Sequence, residues 1–118
     1  MLLVWYPKCS TCQRAKRFLE EMGIEVTTRD IKEERMSAAE LREVWGRSGM
    51  PLRRFFNTSG MLYREMGLKD RLASMSEEEQ VELLASDGML VKRPLLVGDG
   101  FVLVGFREAE WTERLGDG

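Results

Sequence analysis

The sequence predicts an α/β fold: a four-stranded mixed sheet built from a βαβ half and a ββα half, with a helical insertion between them at about residues 31–88. Three observations predict it. A short apolar strand, a helix and a second strand open the chain. Two helices with strong start signals occupy its middle, and a hairpin followed by a last helix closes it. With 118 residues and neither a linker-like stretch nor an internal repeat, the chain fits one domain, 1–118.

Leu2 to Tyr6 are apolar, β-branched or aromatic without alternation, as in a strand buried on both faces, and Pro7 ends it. From Cys12 an apolar stripe at Ala15, Phe18, Leu19 and Met22 predicts a helix, and Gly23 stands where a left-handed cap belongs. Ile24 to Asp30 alternates apolar with polar residues and predicts the second strand. A strand–helix–strand crossover makes those strands parallel and puts the loop carrying Cys9 at a carboxyl end of the sheet. Ser37-Ala38-Ala39-Glu40 is a capping box for a helix through about Trp45. Ser76-Glu77-Glu78-Glu79 opens another through about Ala85, with Gly88 to close it. Between them, Arg47 to Ser74 reads as short helical segments broken by Pro51, Gly60 and Gly67. Leu95-Leu96-Val97, the turn Gly98-Asp99-Gly100 and Phe101 to Val104 predict a hairpin, and Arg107 to Leu115 a final helix.

Composition removes several function classes. The chain has no histidine, which excludes Cys-His and Ser-His catalysis, and its two cysteines are too few for an intrachain structural zinc site. No apolar run approaches the roughly 20 residues of a membrane span, and no secretory leader opens the chain, so a cytoplasmic protein is expected. With 20 acidic against 18 basic residues, direct binding of nucleic acid is not expected. In the cytosol disulfides are usually transient, so Cys9 and Cys12 read as functional rather than as a structural staple.

Thiols at i and i+3 across a helix start can close a small disulfide ring. Following a strand and opening a helix within a βαβ unit, they predict a thioredoxin-like domain. Cys9 precedes the first turn, where free backbone N–H groups and the helix dipole favour its thiolate. Lys8, Arg14, Lys16 and Arg17 add positive charge nearby, which would lower the thiol's pKa below roughly 8.5. Cys12, one turn inside, should be buried and less acidic. Cys9 is thus expected to attack an oxidised substrate and Cys12 to resolve the mixed species, leaving a Cys9–Cys12 disulfide for an external thiol to reduce. Lys92-Arg93-Pro94 precedes what reads as an edge strand. Local evidence alone prefers a trans proline there, with two solvated basic residues before it.

The run Tyr6-Pro7-Lys8-Cys9-Ser10-Thr11-Cys12, the helical insertion, and Lys92-Arg93-Pro94 before Leu95-Leu96-Val97 together resemble the ArsC/Spx family. That group contains glutaredoxin-coupled arsenate reductases and Spx-type transcriptional regulators, and the likeness spans nearly the whole chain. It implies that Cys9 is the nucleophile, that Pro94 is the family's cis proline, and that Arg93 lies beside Cys9 to hold an oxyanion or the thiolate. Ser10 and Thr11 belong to the same motif. The family's further arginines fall here at Asn57 and at Gly105 or Phe106, leaving Arg53, Arg54 and Arg107 as nearby replacements. Cys12 stands where many arsenate reductases of this branch carry serine, a feature of the Spx side.

Two functions follow. One is a glutaredoxin-like reductase using the Cys9/Cys12 dithiol with Arg93, supported by Lys8, Ser10, Thr11, Arg14 and Pro94, as a monomer. It would hold no tightly bound cofactor and would be reset by glutathione with glutaredoxin, or by thioredoxin. The other is an Spx-like redox switch binding the RNA polymerase alpha subunit, for which Gly49 falls near the presented loop. The Phe55-Phe56 pair and the eight methionines read as core packing rather than a sticky surface.

Overall fold

The computed structural model describes residues 1–116. Its elements run β1 (Leu2–Trp5), α1 (Ser10–Glu21), β2 (Thr27–Asp30), α2 (Ala38–Ser48), α3 (Met61–Glu65), α4 (Leu68–Arg71), α5 (Glu77–Ser86), β3 (Leu95–Val97), β4 (Val102–Val104) and α6 (Glu108–Leu115). Short 3₁₀ turns occupy Leu52–Phe55, Leu72–Ser74 and Gly88–Leu90. The sheet has the order β2-β1-β3-β4: β1 pairs in parallel with β2 and antiparallel with β3, which pairs antiparallel with β4. This is the mixed βαβ plus ββα sheet expected, with short helices where the middle segment was read as broken.

Strand alternation distributes the core. Leu3, Leu96 and Leu103 stand opposite one another across three strands, and with Ala15 and Leu19 of α1 and Trp111 of α6 they fill one face. Val4, Leu95 and Val104 form the neighbouring row and face the other way, packing with Leu41 and Val44 of α2, Val81 and Leu84 of α5, and Phe55 and Phe56. The aromatic pair is therefore core, as read. Among the described residues no helix is long and apolar enough to cross a membrane.

Four expectations need correction. Helix α1 starts at Ser10 rather than Cys12, because Cys9 already has the extended conformation of an N-cap. Strand β2 starts at Thr27 rather than Ile24. Gly23, at φ 72°, turns the chain so that the Ile24 N–H closes back on the Leu19 carbonyl, and Ile24 and Val26 pack against the α1 core instead of pairing. Gly88 is not the cap of α5: Asp87 is, and a Cβ on Gly88 would sit 1.8 Å from the Ile31 carbonyl oxygen, so close approach selects glycine there. Strand β3 is not an edge strand, since it pairs on both sides.

Candidate active site

Pro7 ends β1, and the chain turns through a hydrogen bond from the Cys9 N–H to the Tyr6 carbonyl (2.9 Å). The Cys9 carbonyl then accepts the first helical bond of α1 from Gln13 (3.0 Å), so the Cys9 side chain hangs at the mouth of that helix, half-buried. One turn inside, Cys12 is fully buried and its sulfur accepts a hydrogen bond from the Tyr6 N–H (3.4 Å). Both thiols are free.

The two sulfurs are poised in opposite directions. Burial resists ionisation of Cys9, but the backbone N–H of Cys12, the Cys12 thiol and the Arg93 guanidinium together outweigh it and hold the Cys9 pKa below its ordinary value. Burial pushes the Cys12 thiol up to about 12. The Tyr6 N–H only partly offsets this, and negative charge on Cys9 adds to it. One thiolate in the pair therefore disfavours the second.

Cys9 opens into a cleft of about 400 Å³ lined also by Thr11, Arg54, Asn57, Lys92, Arg93 and Arg107, with no carboxylate in its wall. The Arg93–Pro94 peptide is cis, as the family resemblance implies and against the local preference for trans. Arg93 stacks on the Tyr6 ring (5.2 Å to the centroid), and its Nε and Nη1 are buried without an acceptor. The insertion is tied to this wall by main-chain bonds from Lys92 to Phe55 (2.7 Å) and from Asn57 to Leu90 (2.8 Å), around the bridge Phe56–Val91. Those bonds bring Arg54 and Asn57 to the cleft. Pro94 is buried and accepts the Gly105 N–H (2.8 Å).

Of the residues singled out from sequence, the cleft gathers Cys9, Thr11 and Arg93, with Cys12 behind. Lys8, Ser10 and Arg14 are exposed outside its wall, Arg14 reaching the Thr11 hydroxyl at 3.5 Å. Lys16 pairs with Glu20 (3.3 Å) and lies over Trp5. Arg54 and Arg107 do reach the cleft, whereas Arg53 lines a separate hollow with Tyr63 and Lys69. Lys92, expected as one of two solvated basic residues before Pro94, lines the wall instead. Its signal was the adjacent basic pair before a proline.

Fold and site define a class: a thioredoxin-like protein with a Cys-x-x-Cys pair at the mouth of its first helix. Within that class the chain belongs to the ArsC family, whose model matches residues 4–114. It is 54% identical over 110 residues to the uncharacterised protein YusI of Bacillus subtilis strain 168, covering 93% of each chain. A crystal structure of an ArsC family related protein from Bacteroides fragilis superposes with a TM-score of 0.92 at 50% identity, over 95% of this chain and 94% of that one. The structure of a possible arsenate reductase from Streptococcus mutans UA159 follows at 0.83 and 48%, over 90% of each. Global transcriptional regulators named Spx are also relatives; that of Listeria innocua is 25% identical over 104 residues, 88% of this chain and 78% of that one.

Proposed function

We propose that the protein is a thiol–disulfide reductase in which Cys9 is the nucleophile and Cys12 the resolving thiol. The observation that carries this reading is the opposed poise of the two sulfurs, an ionisable Cys9 in a cationic cleft and a buried, protonated Cys12 directly behind it. The Cys9 thiolate attacks one sulfur of a disulfide substrate: a Cys9–S bond forms, the substrate S–S bond breaks, and one thiolate leaves to take a proton from solvent. Once Cys9 is in the mixed disulfide it is no longer an anion, so its contribution to the high pKa of Cys12 disappears. Cys12 then loses its proton and attacks the Cys9 sulfur. The second substrate thiol departs, and a Cys9–Cys12 disulfide remains. Two electrons from an external thiol, glutathione with glutaredoxin or thioredoxin, restore the dithiol. Arg93, with its two unpartnered nitrogens, stabilises the thiolate before attack. Arg54 and Arg107 make arsenate a second oxidised substrate to try.

The test pairs two measurements. Alkylation of Cys9 followed against pH should show a thiolate below the ordinary thiol range, and a disulfide should turn over with glutaredoxin or thioredoxin supplied, lost in Cys9→Ser. Absence of turnover with either reductant, on both a disulfide and arsenate, would overturn the reading. The Spx relatives support one alternative. There the same disulfide forms without turnover and changes binding to the RNA polymerase alpha subunit, near the exposed left-handed Gly49 that ends α2.

A further inference from the structure

Beside Arg93, Arg54 and Arg107, the cleft wall carries a fourth cation, whose position depends on a gap. Gly105 follows β4 with φ 74° and is fixed at both ends: its N–H donates to the Pro94 carbonyl (2.8 Å) and its carbonyl accepts from the Trp111 indole (3.0 Å). Positive φ suits glycine, and the space a side chain would fill is taken by Lys92. A Cβ built on Gly105 would come 3.0 Å from Lys92 Cε and 3.9 Å from its Cγ. Lys92 thus lays its aliphatic stem over Gly105, while its own backbone N–H is held by Phe55. It forms no salt bridge among the described residues, and no carboxylate lines the cavity it enters.

We propose that Lys92, seated over Gly105, is a specificity-determining residue that selects substrates carrying a carboxylate beside the sulfur that Cys9 attacks. This rests on the reductase reading for its substrate but not for its physics. A cation among unpaired cations, in a wall without acidic residues, is electrostatically unfinished, and an incoming anion completes it. The cavity volume of about 400 Å³ is that of an organic ligand site rather than of a bare inorganic anion. Lysine suits this role because a compact ammonium on a flexible stem tolerates several carboxylate positions, where a bidentate arginine would demand one.

The test uses two alkylating agents that differ in charge, iodoacetate and iodoacetamide, on Cys12→Ser protein so that Cys9 alone reacts. The ratio of their rate constants at one pH cancels the thiolate fraction, so it reports the field felt by an anion next to the sulfur and not the Cys9 pKa. Lys92→Gln should lower the iodoacetate-to-iodoacetamide ratio roughly three- to tenfold at low ionic strength. Lys92→Arg should restore it. In turnover, Lys92→Gln should raise KM for dithiodiglycolate by a larger factor than KM for bis(2-hydroxyethyl) disulfide, and Lys92→Arg should restore the ratio of the two. A ratio in Lys92→Gln within twofold of the parent protein, or a loss that Lys92→Arg does not repair, would overturn the proposal. A reduced ratio in a protein that turns over no disulfide would sink the reductase reading and leave the electrostatic role of Lys92 standing. An unchanged ratio with normal turnover would do the reverse.

Discussion

Three helix N-termini in this chain begin from the same physical problem and reach different ends. Helices α2 and α5 close their first turns with complete capping boxes. The Ser37 hydroxyl accepts from the Glu40 N–H (3.1 Å) while the Glu40 carboxylate accepts from the Ser37 N–H (2.9 Å), and Ser76 and Glu79 repeat both bonds at the same lengths. Helix α1 has Cys9 at that position, no side-chain cap and no acidic residue in its first turn. A neutral thiol is a poor acceptor, so the first turn of α1 is left open until Cys9 ionises and the Cys12 N–H gains an anion to engage. Two termini are finished for stability, and the third is left unfinished so that ionisation completes it.

The largest effect should come from removing what finishes the α1 terminus from outside. Arg93→Gln takes away the cation beside Cys9 and leaves the helix mouth intact. Its alkylation midpoint should move to higher pH, and kcat/KM for a disulfide should fall about a hundredfold, the scale of losing one charge-stabilising donor at a reacting atom. A midpoint that stays in place would mean that the helix mouth alone sets the acidity of Cys9.

The comparison can next be sharpened by exchanging the roles of the termini. Ser37→Ala and Ser76→Ala should each cost about 1 kcal/mol in denaturant unfolding and leave Cys9 alkylation unchanged. Cys9→Ser should do the opposite, abolishing turnover while giving α1 the hydroxyl cap its neighbours already have. The sign of its stability effect depends on pH. Because the folded pKa of Cys9 is depressed, its stabilising contribution is complete above the ordinary thiol value and is lost as pH falls through the folded value. Cys9→Ser should therefore gain most over wild type in acid, by about 0.5–1 kcal/mol, with the advantage shrinking as the wild-type thiolate forms. An advantage independent of pH would break the comparison, since the thiolate would then not be acting as a cap.

What the sequence revealed follows the reach of each interaction. The capping boxes, Gly23, the hairpin and the Cys-x-x-Cys context depend on neighbours a few residues away, and their outlines could be read directly. Gly88 was misread as a helix cap because what selects it is the Ile31 carbonyl, 57 positions earlier. The place of β3 inside the sheet was missed for a similar reason, as pairing partners are set by packing and not by the strand's own composition. The cleft was half visible: Cys9 and Arg93 came from motif and resemblance. The meeting of Arg54 with Lys92 required the main-chain bonds between the insertion and Leu90 and Lys92, while Arg107 reaches the same cleft separately, from the start of α6.

The smallest effect is the most discriminating for that last point. Sequence reasoning placed Lys8, Arg14, Lys16 and Arg17 around Cys9 as a diffuse positive field. In the structure Lys8, Arg14 and Arg17 are exposed outside the cleft, and Lys16 is committed to Glu20. Exposed charges act through water and salt, so their influence on a half-buried sulfur is small beside that of the Arg93 guanidinium, which lines the same cleft and helps lower the Cys9 pKa. Neutralising Lys8, Arg14 and Arg17 together with glutamine should change the Cys9 alkylation rate at neutral pH by less than about twofold at physiological ionic strength. A larger loss, abolished by added salt, would move the origin of the thiolate from the contacts inside the cleft to the field outside it. Arg93 would then share its role with the whole basic start of α1.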